Sequence, residues 1–163
     1  MNQKVKAIPE GFHTLSPHIT VKDGGAAIEF YKKAFGAEEI DRSLMPDGKT
    51  LMHATLKIGD SLFMLNDEFP ENGVLSPQSI KGTAVILHIY LENVDALWEQ
   101  AVAAGAKSLF PLQDCFWGDR YGQLEDPFGH KWSLATHIAN PTAEEMARQA
   151  KEMFGDRNSS IAK

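Results

Sequence analysis

A single cysteine, Cys115, stands in 163 residues. No internal disulfide can form, which fits a reducing, cytoplasmic compartment. Basic runs are missing too: 16 Lys and Arg face 22 Asp and Glu, for a net charge of −6. A phosphate backbone therefore finds no counter-charged surface, and no nucleic-acid partner is expected. No apolar run reaches membrane-spanning length, and the opening MNQKVKAIPEGFHTL has no apolar centre for a signal peptide. Neither a membrane nor secretion is expected. No G-x-G-x-x-G follows a strand, no nucleophile elbow or zincin helix occurs, and Asp23-Gly24-Gly25 lacks the remainder of a phosphate loop. Those gaps argue against dinucleotide-binding, Ser-hydrolase and zincin chemistry. What remains is an ordinary globular composition, 43% hydrophobic and 23% charged, sized for one domain with a real core.

The chain is written twice. From His18, HITV precedes DGGAAIEFYKKAFGAEE; from His88, HIYL precedes NVDALWEQAVAAGAK, about 70 residues later. Ala26, Ile28, Phe30, Tyr31, Ala34 and Phe35 recur at helical spacing, as do Val94, Leu97, Trp98, Ala101 and Val102. Gly36 and Gly105 stand where a helix C-cap takes a left-handed residue. Each helix is followed by three strand-length runs broken by hairpin residues: Asp47-Gly48 and Gly59-Asp60, then Trp117-Gly118-Asp119 and Pro127-Phe128-Gly129. Each unit reads β-α-β-β-β. The expected organisation is a lead-in over 1–14, module one over about 15–67, a linker over about 68–83, and module two over about 84–137. A helix opened by the T-x-x-E capping box of Thr142 and Glu145 follows within 138–163, with an apolar stripe of Met146, Ala150, Met153 and Phe154 for packing on the body or a second subunit. The closing DRNSSIAK is expected to fray.

Strand parity sorts the side chains. Ile19 and Val21 lie opposite His18 and Thr20. Leu87 and Ile89 lie opposite Ile86, His88 and Tyr90. Met52, Ala54, Leu56 and Ile58 lie opposite Leu51, His53, Thr55 and Lys57, and Trp132 and Leu134 opposite Ser133, Ala135 and His137. One face of each sheet is apolar and packs under the helices. The other carries histidine and tyrosine at matching places in the two repeats, as the wall of a polar cavity would. A solvent-facing sheet is the plainer alternative.

The doubled β-α-β-β-β unit, with AIEFYKKAFGAE after the first strand and FWGDRYGQLEDPFGHKW into the last, resembles the vicinal oxygen chelate superfamily of glyoxalases, extradiol dioxygenases and bleomycin-resistance proteins. ATH followed by a P-T-A-E-E-M helix is similar to its PhnB-like branch, so the likeness runs from about Leu15 to Phe154. The resemblance implies an α+β fold: two βαβββ modules forming a curled eight-stranded mixed sheet around a cleft, plus a C-terminal helix, in a homodimer. It also implies a divalent metal held by His, Gln and Glu from the first and last strands, acting as a Lewis acid. Carried over residue by residue, the first-strand ligand positions fall on Ser16 and Ile86, and the last-strand carboxylates on Met64 and Ser133. None is a good ligand.

His18, His53 and His88 stand close to those positions on the expected inward faces. Three imidazoles would make an open, zinc-like site. No carboxylate is assigned to join or orient them, so histidines that hydrogen-bond or bind a ligand are the preferred reading. Arg120, among Trp117, Asp119 and Tyr121, suits a carboxylate or other planar anion; an ion pair with Asp119 or Glu125 holding the turn is the plainer alternative. Asp126-Pro127-Phe128-Gly129 reads as a turn, His130 as a packing or surface residue, and Cys115 as an inert thiol. The expected function is binding of a small organic molecule by His18, Thr20, His53, His88, Tyr90, Trp117 and Arg120, with no cofactor assigned. A metal-dependent lyase or dioxygenase and an antibiotic-sequestering protein are the alternatives.

Overall fold

A computed structural model describes residues 5–155; the closing residues expected to fray lie beyond them, from 156 onward. Module one runs β1 (His18–Val21), α1 (Gly24–Phe35), β2 (Glu38–Leu44), β3 (Leu51–Ile58) and β4 (Ser61–Asp67). A linker with a short helix α2 (Pro77–Ile80) leads to β5 (Ile86–Tyr90), α3 (Val94–Ala104), β6 (Lys107–Asp114), β7 (Asp119–Glu125) and β8 (Lys131–His137); α4 (Ala143–Phe154) closes the chain. The strands form two four-stranded sheets, ordered β1-β4-β3-β2 and β5-β8-β7-β6. In each, the first strand runs parallel to the last and the other pairs are antiparallel.

Local chemistry explains the helices. Asp23 caps α1 by accepting from the Ala26 amide, Asn93 caps α3 from the Ala96 amide, and Gly36 and Gly105 end both in left-handed conformations. Thr142 and Glu145 form the full capping box of α4. In α1 the buried stripe takes Ala27 instead of the expected Ala26, and in α3 Val102 stays exposed. The linker is tied to the end of module one. The Glu68 carboxylate accepts from the Ser76 amide and from the Ser76 and Ser79 hydroxyls, which holds its own pKa low.

Both modules bury their helix-facing sides in one shared core. Phe35 of α1 lies 4.6 Å from Trp132 of β8, ring to ring, while Tyr31 and Phe63 lie 5.4 and 6.0 Å from the same indole. Gln100 of α3 donates to the Lys33 carbonyl at the end of α1. Asp126, in the hairpin between β7 and β8 and 3% exposed, fastens the core: its carboxylate accepts from Tyr31 Oη, Trp132 Nε1 and the amides of Phe128 and His130. The stretch read as a mere turn thus joins module two to α1 of module one. His130 adds a second tie, its Nε2 2.9 Å from the Thr20 carbonyl.

Parity breaks at the start of β3. Leu51 is buried at 1% exposure and Met52 is 49% exposed, the reverse of the alternation expected. Ser43 and Leu44 of β2 pair with His53 and Leu51, leaving Met52 as the extra residue of a bulge that turns β3 there, and the Leu51 amide is drawn 2.7 Å from the Asp67 carboxylate. From Ala54 onward the expected faces hold: Ala54 and Leu56 are buried under the helices.

Candidate functional site

With the helix-facing sides spent on the shared core, each sheet keeps one open face. On module one it carries His18 and Thr20 from β1, His53 and Thr55 from β3, and Met64 and Asn66 from β4, which face one another across the ladder. The His18 and His53 rings meet edge-on at 5.7 Å, and His53 Nε2 lies 3.3 Å from Thr55 Oγ1. Burial, then the neighbouring His53, lowers the His18 pKa. The lead-in crosses this face: Gly11 touches Leu62, and Ala7, Phe12 and Ser16 share a hollow with Met64.

The open face of module two is richer. His88 and Tyr90 of β5 pair with Ser133 and Ala135 of β8, which pair in turn with Gln123 and Tyr121 of β7. His88 Nδ1 and Ser133 Oγ are 2.6 Å apart, and burial lowers the His88 pKa. The centre of the face is Asp119, 5% exposed. Its carboxylate accepts from Tyr90 Oη at 3.0 Å, from Trp117 Nε1 at 3.1 Å and from His137 Nδ1 at 2.8 Å. Burial alone would push this carboxyl up, but the hydrogen bonds from His137 and Tyr90 hold it below the usual carboxylate range. His137 faces Asn140 Oδ1 through Nε2; Asn140, then Asp119, raise its pKa. Five rings gather here. Trp117 meets Tyr121 at 5.4 Å, Phe110 meets Tyr121 at 6.0 Å, and His88 lies 4.3 Å from Tyr90 and nearly parallel to Tyr121 at 6.1 Å. A groove of about 290 Å³ beside them, lined by His88, Tyr90, Leu62 and Trp132, runs toward module one.

The expected pocket is therefore divided. His18, Thr20 and His53 stand together on module one, and His88, Tyr90 and Trp117 on module two. Arg120 belongs to neither group. Pointing to the helix side of its sheet, it donates through Nε and Nη2 to Asp95 of α3 and through Nη1 to Asp114, which raises its own pKa. An ion pair does hold it, with partners other than Asp119 and Glu125. Parity explains the placement, because β7 begins at Asp119, which puts Asp119, Tyr121 and Gln123 on the open side and Arg120 beneath. Asp119, Tyr121 and His137 are the site residues that the sequence reading passed over; that alternation was the available signal.

The strand register sets the histidines beside the positions inherited from the resemblance. His18, two residues beyond Ser16, lies across from Met64, and His88, two residues beyond Ile86, lies across from Ser133. Two imidazoles thus stand opposite a thioether and a hydroxyl, with a carboxylate opposite neither. Among the described residues no group of three His, Cys, Asp or Glu side chains is arranged to hold a metal. The residues present do not fit the metal that the fold implies.

Comparison with known proteins identifies the fold. The family model of the glyoxalase/bleomycin resistance protein/dioxygenase superfamily matches residues 12–134. The chain belongs to this superfamily. An uncharacterized protein of Mycobacterium tuberculosis strain H37Rv, Rv0887c, is 44% identical over 135 residues, 81% of this chain and 79% of that one. The crystal structure of TioX from Micromonospora sp. ML1 matches with a TM-score of 0.61 at 26% identity, over 77% of this chain and 99% of TioX. The PhnB protein of Bacillus cereus shares the fold with a TM-score of 0.59 at 20% identity, over 76% of this chain and 99% of PhnB.

Proposed function

We propose that this superfamily member is a homodimeric binding protein that takes a small organic molecule in a cleft between two protomers. The open face of module one in one protomer forms one wall, and the open face of module two in its partner forms the other. The observation that carries this reading is the shared core. Because Phe35, Tyr31 and Phe63 of module one surround Trp132 of module two, the two sheets meet helix side to helix side. The face of module two is left open, with Tyr90 61% and Ile86 45% exposed, and that of module one keeps His18 exposed beside the lead-in. Apolar and aromatic groups on a concave sheet face are costly in water, and an isologous dimer would cover both faces twice over. The binding reading is preferred to metal-dependent catalysis because Met64 and Ser133 occupy the carboxylate positions.

Two measurements on untagged protein, purified without chelators, test it. Light scattering is expected to give twice the chain mass, and a monomer at micromolar concentration would remove the two-protomer cleft. Elemental analysis after reloading with divalent zinc, nickel, iron or manganese is expected to find well under one metal per chain. Near-stoichiometric metal that disappears in a His53→Ala variant would instead favour a lyase or dioxygenase.

A further inference from the structure

We propose that the ring cluster of module two, Tyr90, Trp117 and Tyr121 around Asp119, selects a flat aromatic ligand carrying delocalised positive charge. The inference rests on the reading of this face as the ligand wall and adds the chemical class that it accepts.

Hydrogen-bond direction comes first. Tyr90 Oη and Trp117 Nε1 both turn inward to Asp119, and Tyr121 Oη accepts from Gln123 Nε2 at 2.6 Å. The donors of Tyr90 and Trp117 are thus spent within the protein, and the Tyr121 oxygen is held by Gln123. What the cluster presents outward is π surface: Trp117 and Tyr121 at 76° to one another form a corner, and His88 lies nearly parallel to Tyr121. Such a corner recognises shape and ring faces, and ring pairs of this kind contribute about 0.5–1.5 kcal/mol each beyond the area they bury.

Charge decides the rest. An anionic ligand needs a free cation, and the cation that the sequence offered, Arg120, is bound by Asp95 and Asp114 beneath the sheet. Lys131 stands at the far end of β8, paired across the ladders with Ile86 and Glu125, and on the other wall Lys57 stands at the far end of β3 across from Glu38. His137 is turned to Asp119 through Nδ1 and to Asn140 through Nε2. Meanwhile the Asp119 carboxylate sits at the tips of two of the rings, reinforcing the negative faces that attract cations, and the chain as a whole is acidic at −6.

Fluorescence titration with proflavine, a planar three-ring cation, against anthracene-9-carboxylate, a planar three-ring anion, tests the proposal on the intact protein. Proflavine is expected to bind saturably and to lose about tenfold in affinity in Tyr121→Leu, the loss that removing one stacking partner brings. The anthracene is expected not to saturate over the same range. In Asp119→Asn, which keeps an acceptor for Tyr90, proflavine should weaken and the anion should gain; circular dichroism melts establish that both variants fold. Tighter binding of the anion than of proflavine, with loss in Tyr121→Leu, would overturn the cation while sparing the ligand-binding face. Proflavine that fails to bind, or that binds Tyr121→Leu unchanged, would overturn the ring cluster as its site. A monomer that binds neither probe would remove the proposed function with it.

Discussion

Asp126 and Asp119 are carboxylates of the same hairpin region with opposite employment. Asp126 is wholly committed to the core, with four donors converging on it. Its replacement by Ala orphans two ring tips and two amides at once, a loss of about 3 kcal/mol. Tyr31→Phe removes one of those donors and should cost about 1 kcal/mol. Urea denaturation checks both, and an Asp126→Ala midpoint equal to wild type would show that the hairpin does not fasten the modules. The histidines make a second residue-level prediction, with signs that differ. His137 has a raised pKa, so its contribution is present below about 6.5 and is lost as pH rises through the raised value. His18 and His88 have lowered values, so folding favours their neutral forms; that contribution is present above about 6.5 and is lost as pH falls through the lowered ones. Histidine ring NMR should find His137 titrating above its free value and the other two below it. His137 titrating below its free value would break the assignment of Asp119 and Asn140 as its acceptors.

At the scale of elements, the β6–β7 turn, the β8–α4 connection and the far end of α4 are one assembly. The Gly118 carbonyl accepts from the amides of Ile138 and Ala139, and Phe116 meets Phe154 at 6.3 Å. Gly118 has φ +100, and a Cβ there would run into the Ala139 carbonyl and the Pro141 ring. Gly118→Ala should therefore cost about 2 kcal/mol, release α4 and loosen Trp117 and Asp119 beside it. Hydrogen exchange of α4 amides measures this, and unchanged protection would mean that α4 is held elsewhere. The elements themselves were legible: both βαβββ units, the caps at Gly36 and Gly105, and the Thr142–Glu145 box all follow from local chemistry. What periodicity could not deliver was register. A bulge at Met52 inverts Leu51 and Met52 without leaving a mark in the alternation. Arg120 went astray by one step of parity, which is enough to move a side chain from the open face to the helix side. Asp119 becomes a hub because β5 and β8 bring Tyr90 and His137 to it from far apart in the chain, beside Trp117 from its own turn.

For the whole molecule, the division of the candidate pocket between two faces makes a prediction that does not depend on the ligand's identity beyond a reporter that binds. If each cleft joins module one of one protomer to module two of the other, a twofold dimer has two clefts, each drawing on both chains. A chain altered at His18→Arg spoils the module-one wall for a cationic reporter, and a chain altered at Tyr121→Leu spoils the module-two wall. Each homodimer then has one damaged wall in both clefts. Unfolding and refolding the two variants together produces mixed dimers, in which one cleft collects both lesions and the other collects none. Random pairing makes half the dimers mixed, so about one quarter of the wild-type number of intact sites should reappear, read as proflavine bound at saturation with wild-type affinity. Refolding each variant alone should restore none. Clefts built within a single chain leave every site with a lesion however the chains are mixed, so an absence of recovery in refolded, dimeric protein would place both walls in one protomer and end the two-protomer cleft.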